Sequence, residues 1–540
     1  MSFTAIDLFA GIGGFRIAIE KCGGNCIAFS EINADAINTY NDNFHDSAGT
    51  NLGDITKLEQ LPAHDFLTAG VPCQSWSIAG RNLGFDDHRG QLWNDAIFLL
   101  RQAQPKAFIF ENVKGLADPR NKNALHHILG RIEDAGYHAK YFVLNAYDYG
   151  VPQSRVRIYI IGFRDVRFLS AFQLPKKAGR KLKLADIMDN HAIEVDASQN
   201  ANGGIGSDNL RTSSSTSLSS NNNGFNDYFL FNDLRNGPTT IHSWDIVATT
   251  KRQKDICLYL LRNRRKRQFG PLDGNPLSLQ HFQSLDKTIT MDELGELVCA
   301  GILKREKYRF RVYEGNLVSC ELSEPEKIIL SKRSGDCIIP DTLVCDREIK
   351  ISKINISEVL GNLEQKGAIG CSEERYDFRY TKISTGLFGI NRVFLPSSNI
   401  FPTLVASDSN DYLTPLSITA FSEEQYRQTF LEQVLAKKQY RKISMAEACR
   451  IQGFPDGFIL PDSRPRWMRL VGNSVAVPLV EQLIKSIVDT GVFHETPINL
   501  GRTTAIRSEE NKRDMKDAHN SYSLPPTGEN NTYVQISMLE

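Results

Sequence analysis

The segment Asp7-Leu8-Phe9-Ala10-Gly11-Ile12-Gly13-Gly14 constrains this chain more than any other. A short apolar run, Phe3–Phe9, feeds a glycine-rich turn and then a helical stretch, Phe15–Lys21. Strand, glycine turn and helix in that order open a parallel α/β unit, where the glycines let the main chain approach a ligand closely. Taken alone, the motif is also what a tight strand–helix turn looks like. The pattern continues, however. Cys26–Ser30 and Asp65–Gly70 read as strands, Gln91–Arg101 as a helix, Ala107–Phe110 as a strand, Ala124–Ala135 as a helix and Arg157–Phe163 as a closing strand. Near-continuous apolar strands alternating with helices predict an α/β fold, a doubly wound Rossmann-like parallel sheet covered on both faces.

Composition then shifts. From Ser198 to Gly224, 20 of 27 residues are Ser, Thr, Asn or Gly, too little apolar surface to offset the entropy of ordering. A flexible loop is expected over 198–224. Beyond it, Lys251–Val312 carries 14 Lys/Arg against 7 Asp/Glu, densest at Arg262, Arg264, Arg265, Lys266 and Arg267. A weak repeat follows. Asp292–Leu297, Ala300–Leu303 and Tyr308–Val312 are echoed by Glu358–Leu363, Lys366–Ile369 and Tyr376–Phe378. Each copy reads as an amphipathic helix, a glycine stop and a β-ribbon, the pattern of a winged-helix-like unit, although such patterns also recur by chance. Helical patterning resumes near Glu423, and 501–540 is a polar tail.

The 540 residues allow two or three domains, and 63 Lys+Arg against 63 Asp+Glu exclude a uniformly basic coat while permitting a local basic face. Ten scattered cysteines form no paired zinc spacing, so no metal is expected and a reducing cytosol fits best. The N-terminus has no basic leader and no apolar stretch reaches membrane-spanning length, so no membrane partner is expected.

Several residues then point to one sheet edge. Glu31 ends the second strand and Asp54 follows another turn, at the carboxyl ends where ligands of such sheets bind. Val71-Pro72-Cys73-Gln74-Ser75-Trp76-Ser77 sets a cysteine just past a strand, and a Gly- and charge-containing loop follows from Gly80 to Gly90. The default for a lone cysteine is a buried, inert hydrophobe. Here Phe110-Glu111-Asn112-Val113 brings a carboxylate to the end of the next strand but one, and Arg155 and Arg157 stand two apart in Gln153-Ser154-Arg155-Val156-Arg157, a spacing that puts both on one face of a strand. A thiol, a carboxyl group and two guanidiniums suit covalent catalysis on a polar ring.

Those motifs, with Arg450-Ile451-Gln452-Gly453-Phe454-Pro455-Asp456 and Gly472-Asn473-Ser474-Val475, resemble the cytosine-C5 DNA methyltransferases in content and order. The resemblance covers about 1–190 and 425–490 and departs at Ala446-Glu447, where the family usually has Arg-Glu at a structural position. It implies a catalytic domain over 1–190 plus 425–500 and a target-recognition domain over 191–424. It implies S-adenosylmethionine as cofactor, bound by Phe9, Ala10, Gly11, Gly13, Glu31, Ile32, Asp54, Ile55, Pro72, Leu92, Asn473, Ser474 and Val475. Phe9 would face the adenine, Glu31 the ribose hydroxyls and Asp54 the adenine amino group. It implies that Cys73 attacks carbon 6 of a flipped cytosine, Glu111 serves ring nitrogen 3, Arg157 holds the ring carbonyl, and Arg155 supports Glu111 or the backbone. Double-stranded DNA is the implied partner, contacted by Gln74, Ser77 and Arg89, and Phe401–Ser407 resembles the Thr-Leu segment of the family's recognition domains, which would put Thr403 and Leu404 near the flipped base; a plain buried strand reads the same way. Local charge density, apart from the resemblance, sets Arg264, Arg265 and Arg267 on phosphates, with a solvated helix face as the alternative. A bacterial cytosolic monomer working beside a restriction endonuclease is expected. The same chemistry on tRNA and a non-catalytic DNA-binding regulator are the alternatives. A nicotinamide-linked oxidoreductase would explain the first motif alone.

Overall fold

A computed structural model describes residues 2–45, 50–72, 92–179, 182–189, 192–196, 228–234, 239–272, 274–340, 355–420 and 422–494. Cys73, Gln74, Ser77 and Arg89, the 198–224 segment and the 501–540 tail lie outside them. The chain divides into two compact units, one formed by 1–228, 394–421 and 439–540, the other by 229–393 and 422–438. Residues 193–196 and 416–419 therefore fall in the first unit, where they form a parallel ladder, although the sequence reading groups them with the insert.

The first unit is built on β1 (Phe3–Leu8), α1 (Gly14–Lys21), β2 (Gly24–Ser30), α2 (Ala34–Phe44), β3 (Phe66–Gly70), α3 (Leu92–Ala103), β4 (Ala107–Val113), α4 (Lys122–Asp134), β5 (His138–Asn145), β6 (Gln153–Ser154) and β7 (Val156–Phe163). The sheet order is β2-β1-β3-β4-β7-β5. β1, β2, β3 and β4 are parallel, but β7 runs antiparallel to both β4 and β5, so the sheet is mixed rather than wholly parallel. β5 escapes the sequence pattern because it is an edge strand whose residues are mostly half-exposed or exposed. The chain leaves β1 toward β2 and returns past it to β3, which makes the carboxyl ends of β1 and β3 a topological switch point.

Strict alternation along the strands covers both faces. Ala107 and Ile109 of β4, with Tyr159, Ile161 and Phe163 of β7, pack with α1 and the helix Val477–Asp489. Phe108 and Phe110, with Ile158 and Ile160, pack under α3 and α4. Each fully buried side chain of this size contributes about 1.5–3 kcal/mol relative to exposure. The Ala446-Glu447 departure is accommodated locally. Fully buried Glu447 accepts hydrogen bonds from Arg441 (2.6 and 2.7 Å) and from the Ser444 and Asp189 amides (2.9 and 3.0 Å), so its charge is paired with no arginine at 446.

In the second unit the two sequence copies are not independent tandem modules. The helix Met291–Cys299 stops at Gly301 (φ +75°) before the strand Leu303–Val312, and the helix Ile356–Gln365 stops at Gly367 (φ +65°) before Ile369–Phe378. The two strands pair with each other, antiparallel, from Leu303↔Phe378 to Val312↔Ile369. The first residue of each copy's strand thus faces the last residue of the other's. The ends close the same way, with the Arg379 amide on the Ile302 carbonyl (3.0 Å) and the Tyr313 amide on the Ala368 carbonyl (2.9 Å). A single ribbon strand would leave two open edges, and this mutual pairing satisfies one edge of each copy.

The basic run is also revised. Arg262, Arg265, Lys266 and Arg267 are exposed, but Arg264 is buried and ion-paired to buried Asp377 at 3.0 Å, with its guanidinium over Phe378. A guanidinium so enclosed holds the end of the ribbon and does not face a phosphate.

Candidate active site

The glycine turn needs its glycines. Phe9, Gly11 and Gly13 all have positive φ (+54°, +55° and +83°), and a Cβ on Gly13 would stand 2.3 Å from the Phe44 ring. In front of Gly11 the space is open, with nothing within 4 Å of a notional Cβ. Glu31, at the end of β2, accepts the Gly11 amide (2.9 Å) with one oxygen and the Ile32 and Asn33 amides (2.8 Å each) with the other. Beside it Ile32 is 73% exposed, an apolar side chain left open next to a carboxylate.

Asp54 caps the short turn Ile55–Lys57 through the Thr56 amide at 3.0 Å, while Ile55 is buried beneath it. Asn51, which the sequence reading passes over, ties these loops together. Its side chain exchanges hydrogen bonds with the main chain of Glu31 (3.2 and 3.1 Å) and accepts the Gly53 amide (2.9 Å). Nothing in its local sequence marks it, because its role arises only when the two loops meet. Pro72 and Leu92 are half-buried. From the far end of the chain, Val475 packs within 2.8 Å of a notional Cβ on Gly14, Ser474 is buried with its hydroxyl on the Val471 carbonyl (2.7 Å), and Asn473 is exposed. Open space before Gly11, an anchored carboxylate and an exposed apolar side chain suit a nucleoside with its ribose on Glu31.

Along the same sheet edge, Glu111 of β4 is buried against Arg157 of β7, with 3.1 Å between Oε1 and Nε. Burial raises the Glu111 pKa, and the Arg157 and then the Arg155 guanidinium oppose the rise. Next to it, Asn112 donates to the Val71 carbonyl at 3.2 Å, which fixes the chain two residues before Cys73. Arg155 and Arg157 both bear on Glu111, but their guanidiniums are held differently. The chain passes from β6, which pairs with Phe401–Pro402, into β7 of the main sheet, and Arg155 lies at that crossing. Its buried guanidinium donates to the carbonyls of Leu404 (3.3 Å), Gly472 (3.1 Å) and Ser474. Of the two roles implied for it, these contacts carry support of the backbone, and its charge also acts on Glu111. Thr403 donates its hydroxyl to the Ser154 carbonyl, Leu404 is buried and Val405 is 41% exposed.

Asp7, under the glycine turn, is wholly buried and accepts the Thr68 hydroxyl at 2.7 Å; burial pushes its pKa up to about 7. Among the described residues no cluster of His, Cys, Asp or Glu could hold a metal, and no helix is long and apolar enough to cross a membrane.

Residues 3–319 and 349–489 match the family described as C-5 cytosine-specific DNA methylase. The chain belongs to that family. Its S-adenosylmethionine-dependent enzymes methylate carbon 5 of cytosine in DNA, and this chain is one of the restriction–modification type. It is 39% identical over 503 residues to the Type II methyltransferase M.HgiBI of Herpetosiphon aurantiacus, covering 91% of this chain and 98% of that one. It is 45% identical over 175 residues to the Type II methyltransferase M.HhaI of Haemophilus parahaemolyticus, covering 32% of this chain and 52% of that one. As a C-5 cytosine methylase, the chain has a cofactor to which the open glycine turn, Glu31 and Ile32 are suited.

Proposed function

We propose that this methylase works through a covalent adduct between Cys73 and carbon 6 of a cytosine turned out of duplex DNA. The observation that carries the reading is the buried Glu111–Arg157 pair beside the Asn112 anchor, at the foot of the segment that bears Cys73. The ring edge of a stacked cytosine is unreachable, so the base leaves the duplex at a cost of a few kcal/mol. The Cys73 thiolate attacks carbon 6. Glu111, kept protonatable by burial, gives a proton to ring nitrogen 3, and Arg157 holds the ring carbonyl oxygen. When bound, S-adenosylmethionine supplies the electrophilic methyl group that carbon 5 accepts. Loss of the carbon 5 proton then expels Cys73 and restores the ring. Glu31 orients the cofactor's ribose, Phe9, Ile32, Asp54 and Ile55 its adenine, and Asn473 to Val475 its methionine end.

Sequence choice is assigned to the second unit, to Thr403 and Leu404, and to Gln74, Ser77 and Arg89, with exposed Arg265 and Arg267 on phosphates. The enzyme would act as a cytosolic monomer, and the methylation would protect DNA from a partner endonuclease. The test is transfer of a tritiated methyl group to duplex DNA and to tRNA, with a second duplex carrying 5-fluorocytosine. Fluorine cannot leave as a cation, so the fluorinated duplex should be trapped on the wild type and not on Cys73→Ser. Transfer to tRNA alone, or trapping that survives in Cys73→Ser, contradicts the proposal.

A further inference from the structure

Both helices of the shared ribbon carry acids on their outer faces, Asp292 and Glu296 on one and Glu358 on the other, which sets them against phosphate. The segment 379–392 differs. It holds Arg379, Lys382 and Arg392 and no acidic residue. Arg379 and Lys382 are exposed and form no ion pair among the described residues. The segment is fixed at three points: the Arg379 amide on the Ile302 carbonyl (3.0 Å), the Lys382 carbonyl on the Asn232 side chain (3.2 Å), and the Asn391 carbonyl on the Phe231 amide (2.9 Å).

Within it, Leu387 and Ile390 exchange both main-chain hydrogen bonds (2.9 and 3.0 Å) and are buried, so Phe388 and Gly389 form a two-residue hairpin tip. Both have positive φ, +52° and +80°. That turn favours Asn-Gly, and a Phe at its first position places Cβ against the main chain. The ring is 52% exposed, and its one ring contact among the described residues is edge-on with Tyr380 at 5.3 Å between centroids. Strain and exposure coincide on one aromatic side chain, on a rigid base, flanked by cations.

We propose that Phe388 is a wedge that enters a base step of the bound duplex and stacks on the bases it parts, with Arg379 and Lys382 on the flanking phosphates. Apolar wedges of this kind kink a duplex, and stacking on an aromatic ring tolerates any base. The inference rests on the duplex-DNA reading above and gives the second unit a specific action within it.

The test uses the full-length protein with Phe388→Asn, which suits the turn and should melt at or above the wild-type temperature. Duplexes carry the methylated sequence, with 2-aminopurine placed step by step through and beside it. Wild-type binding should raise fluorescence at the flipped base and at one further step. Phe388→Asn should lose only the second signal and bind about tenfold more weakly, within the range that stacking supplies. Arg379→Ala with Lys382→Ala should lower the slope of log affinity against log salt by about two. If the wild type methylates the duplex but Phe388→Asn binds as tightly with the same fluorescence pattern, the wedge is overturned alone. If the wild type neither binds nor methylates the duplex, the wedge and the reading beneath it fall together.

Discussion

Replacing Arg155 and Arg157 one at a time should produce two different defects, although the residues stand two apart on one segment. Arg155→Ala leaves three buried carbonyls, those of Leu404, Gly472 and Ser474, without their donor. Charge-assisted hydrogen bonds are worth about 1.5–3 kcal/mol each, but the desolvated guanidinium already offsets part of that. A net loss of about 3–5 kcal/mol is expected. At roughly 1–2 °C per kcal/mol for a unit of this size, the melting temperature should fall by roughly 3–10 °C. Arg155→Lys should recover only part, because an ammonium cannot fork across three acceptors. Arg157→Ala removes the partner of Glu111, but that carboxyl can take up a proton, toward which burial already drives it. Its melting temperature should therefore move little while methyl transfer collapses. Differential scanning fluorimetry and a methyl-transfer assay on the same preparations decide the matter. An Arg155→Ala protein that melts with the wild type, or an Arg157→Ala protein that melts as low as Arg155→Ala, would refute this division of roles.

Glu31→Ala should weaken S-adenosylmethionine binding by about 1.5–3 kcal/mol through lost charge-assisted contacts, with a smaller effect on rate at saturation; calorimetry showing unchanged affinity would mean the pocket is misassigned. Arg264→Ala should destabilise the second unit by emptying the buried space its guanidinium fills over Phe378 beside Asp377, whereas Arg265→Ala with Arg267→Ala should leave melting intact and reduce the salt dependence of DNA binding; the reverse pattern would put Arg264 back on the phosphates. Asp7 gives a pH prediction. Its pKa is higher in the folded protein, at about 7, so between about pH 4 and pH 7 the native state holds the extra proton and stability falls as pH rises. Asp7→Asn abolishes that dependence and should gain on the wild type progressively through this window, with no further gain above it; a difference in denaturation midpoint that is flat with pH would contradict the assignment.

The legible parts of the sequence were those where one local pattern carries one consequence. The βα alternation gives the sheet because each strand's alternation and each helix's spacing are read within a few residues. Glu31 and Glu111 are legible because they stand near the carboxyl ends of strands, and the switch point of such sheets is where ligands bind. The rest depends on long-range pairing. Asn51 matters because two loops meet at it, and Arg441 because it reaches Glu447 in a folded corner. Arg264 looks like its neighbours in a basic run, and only the ribbon that brings Asp377 beside it removes it from the surface. The helix–ribbon repeat was visible, but copies pairing with themselves and copies pairing with each other share the same sequence pattern; the register Leu303↔Phe378 separates them. The antiparallel β7 is likewise indistinguishable by periodicity from a parallel strand.

The central claim is that this chain marks cytosine in DNA at carbon 5 through Cys73. Bisulfite sequencing of a plasmid recovered from a host expressing the wild-type chain, beside one expressing Cys73→Ser, tests it most directly. The expected result is a set of cytosines protected at one fixed sequence wherever it occurs, with all protection absent in the Cys73→Ser host. Protected cytosines that persist in Cys73→Ser, or a wild-type plasmid converted throughout, would contradict it.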